Sequence, residues 1–134
     1  MTQARARRSR KRAAEGALEI RRGDIFWIIC DPSIGAEPKK MRACVVVSND
    51  IANRYGQVIT VVPTQEFSAE RAARAYMTDL RKPRSTLEAD RVANASMIMT
   101  YDRARVTSKA GRVAPDTLRR IEQAMSLHLA LSPA

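Results

Sequence analysis

The sequence predicts a mostly β domain closed by one C-terminal α-helix. Three observations carry that prediction. Three short apolar runs rich in β-branched residues lie between Gly23 and Thr64. Each is bounded by Gly, Asp, Pro or Asn, the residues that end strands. A single broad helical face then closes the chain after Pro115.

The first strand is Ile25–Cys30 (IFWIIC), a continuous apolar run. Asp31–Lys40 (DPSIGAEPKK) reads as a loop by its Pro and Gly content. Cys44–Val47 (CVVV) is the second strand, and Asn49–Tyr55 (NDIANRY) is a turn or short helix opened by Asn or Asp. Val58–Val62 (VITVV) is the third strand. Ser68–Ala75 has helical propensity, with Ser68 at an N-cap position and Glu70 close behind. Tyr76–Leu80 alternates as a strand does, Arg81–Thr86 is a basic loop around Pro83, and Arg91–Ala95, continuing towards Met99, is a weaker strand. Pro115 suits the first position of the terminal helix, with Asp116 beside it. Apolar residues recur from Leu118 through Ile121, Ala124, Met125, Leu127, Leu129 and Leu131. Many short strands and one helix make a small, strongly bent sheet or barrel.

Composition excludes several classes of function. The chain has 134 residues, 45% of them hydrophobic, which suffices for one core. Two cysteines exclude a disulfide framework and a multi-cysteine zinc site, and one histidine excludes a multi-histidine metal site. Aromatics at 4% argue against a single-strand binder built on stacking platforms. No apolar run approaches the ~20 residues of a membrane span, and no apolar segment follows the basic N-terminus as in a secretory signal. The expectation is a basic cytoplasmic domain without membrane attachment.

The net charge is +10, from 24 Lys and Arg against 14 Asp and Glu. It is concentrated at the start, where residues 1–22 hold eight basic and two acidic residues. Such a run buries too little apolar surface to offset its ordering entropy. Residues 1–20 therefore read as a basic flexible arm, and residues 21–134 as the folded domain. An arm of this kind raises affinity for nucleic acid through phosphate contacts that carry no sequence information.

No phosphate-binding glycine loop and no HExxH metal motif is present. His128 falls inside the terminal helix, and Cys30 and Cys44 in strands, where free cysteines serve as small hydrophobes. No basic cluster in the sequence beside either cysteine signals a lowered thiol pKa. The remaining inventory of arginine, carboxylate and hydroxyl groups suits stabilisation of a phosphoryl group without a metal or other cofactor.

A resemblance sharpens this reading. Arg22–Trp27 (RGDIFW), Asp31-Pro32, Gly35-Ala36-Glu37, Arg42, Val45–Tyr55 (VVVSNDIANRY), Thr64, Thr100–Val106 (TYDRARV) and Gly111-Arg112-Val113 follow one another as in the MazF/PemK family of toxins. The resemblance spans roughly residues 21–132. It implies an SH3-like small barrel with a C-terminal helix, usually a homodimer. It also implies a metal-independent, sequence-specific endoribonuclease acting on single-stranded RNA, held inactive by a cognate acidic antitoxin. Arg42, which follows Gly-x-Glu-x4, matches the family's catalytic arginine. Thr64 matches its catalytic threonine, and Glu37 an acidic residue beside the arginine. Lys39, Lys40, Arg71, Arg74, Arg81, Lys82 and Arg84 complete a candidate RNA-binding set.

The chemistry fits these residue types. The 2′-hydroxyl of RNA attacks the adjacent phosphate, and DNA lacks that group. Negative charge gathers on the equatorial oxygens of the phosphorane, where an arginine fork donates two hydrogen bonds and a threonine hydroxyl a third. Glu37 either accepts the 2′-hydroxyl proton or holds Arg42 in place.

Two departures from the family pattern stand out. Ala43 replaces the proline that usually follows the arginine, and Ser96-Met97-Ile98-Met99 replaces Glu-Gln-Ile-Arg. The second change predicts altered base recognition or weaker activity. Two alternative functions follow: an RNA binder without cleavage, and a CcdB-like toxin that targets gyrase. The latter activity depends on a C-terminal tryptophan, whereas the one tryptophan here is Trp27.

Overall fold

The computed structural model describes residues 18–30 and 40–131. Seven strands are present among them: β1 (Asp24–Ile29), β2 (Met41–Val46), β3 (Val58–Glu66), β4 (Met77–Asp79), β5 (Arg91–Asn94), β6 (Met99–Asp102) and β7 (Val106–Arg112). The helices are α1 (Asp50–Tyr55), α2 (Ala69–Ala72) and α3 (Pro115–His128), with 3₁₀ turns at Ala95–Met97 and Arg103–Arg105. The strands expected in the first half are found, displaced by a few residues at their ends. Two strands went unforeseen. β6 and β7 are polar and largely exposed, so neither carries the apolar signal of the first three.

The sheet is antiparallel in the order β4-β5-β3-β2-β1-β7, with β6 also on β3. The long strand β3 changes partners along its length. Val58–Val61 pairs with β6, Val61–Pro63 with β2, and Thr64–Glu66 with β5. The ladder with β2 ends at the pair Cys44 and Pro63. Proline brings no N–H to a ladder, and it sits where β3 passes from one sheet half to the other. Two register shifts between β1 and β7 add twist at the opposite side. The result is barrel-like but not closed by a continuous ladder. An isolated antiparallel bridge joins Ser85 to Val113.

Two apolar clusters explain why β1 to β3 read as unbroken apolar runs, because both faces of these strands are covered. Ile25, Val45, Val62, Leu80, Ala93 and Ile121 belong to one cluster, with Leu118 and Met125 of α3 packed against it. Phe26, Ile28, Cys44, Val46, Ile59 and Val61 form the other. Ile20 is buried in this second cluster. Ile20, the last residue of the expected arm, thus packs an apolar side chain into the core. Residues 1–17 lie outside the described residues.

Helix α3 docks through Thr117, Ile121 and Ala124, which are buried. Leu127, Leu129 and Leu131 are exposed, so the apolar face is shorter than the sequence suggests. His128 is exposed at the helix end. Gly23 has φ +93°, a conformation that favours glycine, and it links three segments: its N–H donates to Val46 O and its carbonyl accepts from Val113 N. Among the described residues no helix is long and apolar enough to cross a membrane.

Candidate active site

The site forms where β3 leaves β2 and joins β5. Beyond the pair Cys44 and Pro63 the two strands no longer share backbone hydrogen bonds. The carbonyl of Ala43 is met instead by a side chain, the Thr64 hydroxyl, which donates to it across 2.7 Å. Thr64 is buried, with 1% of its surface exposed. Its oxygen also accepts from Arg91 Nε at 3.0 Å, and its carbonyl accepts from Arg91 Nη2 at 3.0 Å. The one hydroxyl proton is therefore spent, and direct donation from Thr64 to a phosphate requires that the bond to Ala43 be given up.

Arg42 lies on β2 opposite Ile28, partly buried. It shares a strand face with Cys44, two residues on, whose thiol approaches the Arg42 carbonyl at 3.6 Å. Burial and the positive charge of Arg42 both press the Arg91 guanidinium below its ordinary pKa. Arg42 directly precedes Ala43, whose carbonyl Thr64 binds, and Arg91 reaches the same threonine from β5. Arg71 is a third cation nearby. It donates from Nη1 to the Glu66 carbonyl at 2.8 Å, and its charge also acts on Arg91.

The sequence-predicted set is thus partly assembled. Thr64 and Arg71 lie at the β3–β5 junction, and Arg42 stands on β2 beside Ala43, the residue that Thr64 binds. Glu37 and Lys39 lie outside the described residues. Lys40 is exposed just before β2, its carbonyl accepting from Cys30 N at 2.9 Å. Arg74 is exposed and turned to Glu70 and the Tyr76 hydroxyl. Arg81 forks onto Asp79 at 2.9–3.2 Å and stacks 3.8 Å from the Phe67 ring centroid. Arg84 also reaches Asp79, at 3.5 Å, and Lys82 reaches Glu88 at 3.3 Å. Burial raises the Asp79 pKa, but its bonds with Arg81 outweigh that and hold it below the usual value.

Sequence reasoning missed Arg91. Its signal was present only as a lone arginine opening a weak strand, and its closeness to Thr64 arises from the pairing of β3 with β5 across 27 positions. Both cysteines belong to the second apolar cluster, Cys44 buried in it and Cys30 packed against it. Cys44 is buried and Cys30 partly so, but the Cys30 thiol is lowered to about 6. Hydrogen bonding from Cys44 is the largest cause, with further contributions from Tyr101 and the charge of Arg42. Cys44, which is buried beside Cys30, is pushed up, and burial together with Cys30 raises the Tyr101 hydroxyl to about 12. The cation that matters stands two residues from Cys44, too sparse to register as a basic cluster.

At the positions that depart from the family pattern, Ser96 bonds to Asn94 Oδ1, and Asn94 donates to Gln65 Oε1 at 3.0 Å. Met97 and Met99 are exposed beside them. Among the described residues no group of three His, Cys, Asp or Glu side chains converges as a metal site requires.

Residues 21–129 match the family model described as a PemK-like, MazF-like toxin of type II toxin-antitoxin systems. The chain is 36% identical over 117 residues to the endoribonuclease MazF9 of Mycobacterium tuberculosis, covering 84% of this chain and 98% of that one. It is 26% identical over 112 residues to the endoribonuclease EndoA of Bacillus subtilis, covering 84% and 96%. Its fold is similar to that of MazF in a MazE-MazF crystal structure from Deinococcus radiodurans, with a TM-score of 0.72 at 18% identity, covering 86% and 99%. A mycobacterial endoribonuclease in complex with its cognate antitoxin has the same fold, with a TM-score of 0.68 at 18% identity, covering 86% and 99%.

Proposed function

We propose a function from one premise: the chain belongs to the PemK-like, MazF-like toxin family of type II toxin–antitoxin systems. It is an endoribonuclease that cuts single-stranded RNA and arrests growth until its antitoxin binds. The observation that carries this reading is the arginine corner around Thr64: Arg91 binds Thr64, Arg71 binds the neighbouring Glu66 carbonyl, and Arg42 and Arg71 both act on Arg91 by charge. Among the described residues no carboxylate reaches ion-pair distance of Arg42 or Arg91. A cluster of cations with no ion-paired carboxylate among the described residues suits a phosphate.

In this reading the 2′-hydroxyl attacks the adjacent phosphorus and loses its proton to a base. The P–O5′ bond breaks, the 5′-oxygen takes a proton, and a 2′,3′-cyclic phosphate remains on the other fragment. Arg42 stays charged throughout and donates to the equatorial oxygens of the phosphorane. No metal is needed for this chemistry. The active unit is a homodimer in the cytoplasm, and the basic run from Arg5 to Arg12 adds phosphate contacts. An antitoxin with an acidic segment competes for the same cations, in keeping with the excess of positive charge.

The test is incubation of the purified protein with a long single-stranded RNA in EDTA, beside the Arg42→Ala variant. The expected result is discrete cuts with 5′-hydroxyl ends, absent in the variant. Intact RNA in both samples, or equal cutting by both, overturns the reading.

A further inference from the structure

We infer that Arg91 is a second phosphate-binding arginine of the active site, held in position by Thr64. The inference rests on the reading of the substrate as RNA and adds a residue that neither the family resemblance nor the sequence pattern assigned.

The geometry divides the guanidinium into two edges. Nε and Nη2 lie on one side, and each spends a donor on Thr64, at 3.0 Å to the hydroxyl and 3.0 Å to the carbonyl. Guanidinium has five N–H donors in a rigid plane, so three remain, on Nη1 and the outer side of Nη2. Arg91 is partly buried, and no carboxylate pairs with it among the described residues. Its ladder partner Glu66 acts on it by charge without reaching ion-pair distance. Arg42 and Arg71 both oppose its charge.

This arrangement is costly without an anion and favourable with one. Like charges brought together at a partly desolvated corner repel, and a bound phosphate relieves that repulsion at every cation at once. The arrangement also changes the part played by Thr64. Its hydroxyl donates to the Ala43 carbonyl and a lone pair accepts from Arg91, so it is a positioning residue for Arg91. The fork that Thr64 fixes supplies the donor otherwise expected of the hydroxyl.

Two readouts on Arg91→Gln and Arg91→Lys test this, with thermal melting to verify folding. The first is the salt dependence of binding to a mixed-sequence, uniformly 2′-O-methylated single strand, which cannot be cut. Loss of one phosphate contact lowers the slope of log affinity against log salt by about 0.7. Arg91→Gln is expected to show that fall, and Arg91→Lys to keep the wild-type slope. The second is single-turnover cleavage of RNA. Arg91→Gln is expected to cut ~10²–10³ more slowly, the usual loss for one preorganised donor. Arg91→Lys is expected to cut about tenfold more slowly or worse, because an ammonium cannot hold Thr64 and face the phosphate as a fork does. An unchanged slope in Arg91→Gln overturns the inference whether or not the wild type cuts RNA. Should Arg91→Gln fail to fold, wild-type cleavage by Arg91→Lys overturns it. A reduced slope in a protein that cuts no RNA leaves the phosphate contact standing and rejects the endoribonuclease reading alone.

Discussion

Thr64 donates its hydroxyl proton to the carbonyl of Ala43, on the neighbouring strand, at the point where the β2–β3 ladder stops. A buried carbonyl that loses its donor costs about 1–3 kcal/mol. Thr64→Val keeps the shape and removes both the donor to Ala43 and the acceptor for Arg91 Nε. It is expected to lower unfolding free energy by about that amount, measured by urea denaturation, and to reduce RNA cleavage sharply. Thr64→Ser keeps both bonds and should retain most of the stability. A Thr64→Val protein as stable as the wild type would show that the hydroxyl is not spent on Ala43.

The same corner shapes the chemistry of Cys30. Hydrogen bonding from Cys44, aided by Tyr101 and Arg42, lowers the Cys30 thiol to about 6 from an ordinary value of about 8.5. The thiolate is the nucleophile, so alkylation by iodoacetamide should be fast at pH 7 and fall away as the pH drops through about 6. Cys44, raised and buried, should not react in the folded protein. Arg42→Ala and Tyr101→Phe should each move the Cys30 profile to higher pH. A midpoint near 8.5 in the wild type would contradict this account.

Legibility followed burial and locality. β1 to β3 were readable because both of their faces are covered, so that IFWIIC and VITVV carry apolar residues at nearly every position. The short helix α1 was readable from its cap. Asn49 accepts from Ala52 N at 2.9 Å, and Asn53 closes the turn by donating to the Ser48 carbonyl at 2.8 Å. β6 and β7 were not, because their residues face solvent and their pairing partners are distant in sequence. Arg42 and Thr64 could be named from the family pattern, but nothing local to Arg91 marks its approach to Thr64. That contact exists only once β3 bends past Pro63 to meet β5.

Asp50 makes stability depend on acid. The Arg22 backbone N–H donates to its carboxylate at 2.7 Å, and Asn53 adds a second bond at 3.2 Å. Bonding from Arg22 is the main reason that the Asp50 pKa is lowered. A carboxylate whose folded pKa is depressed contributes stability that is present above its unfolded value of about 3.9 and is lost as pH falls through the lower folded value. Asp50→Asn is therefore expected to be less stable than the wild type at pH 7. The gap should close as the pH is taken below about 4, followed by denaturant unfolding at a series of pH values. A gap that persists unchanged at low pH would assign the loss to packing.

Two basic residues of the candidate RNA-binding set should separate cleanly by their partners. Arg81 is bound to the partly buried Asp79 by both guanidinium edge donors and covers the Phe67 ring, so its charge and its plane are both in use. Its loss should appear in stability: Arg81→Ala is expected to lower the melting temperature and leave the salt slope of single-strand binding nearly unchanged. Arg71 makes one exposed bond to a neutral carbonyl and stands beside Arg91. Arg71→Ala should therefore keep its melting temperature and lose about 0.7 from the salt slope, one phosphate contact's worth. The same variant should bind an acidic peptide more weakly if the antitoxin occupies the RNA site, because one cation serves both ligands. Equal salt slopes in the two variants would place the RNA path away from α2 and require a groove on another face of the sheet.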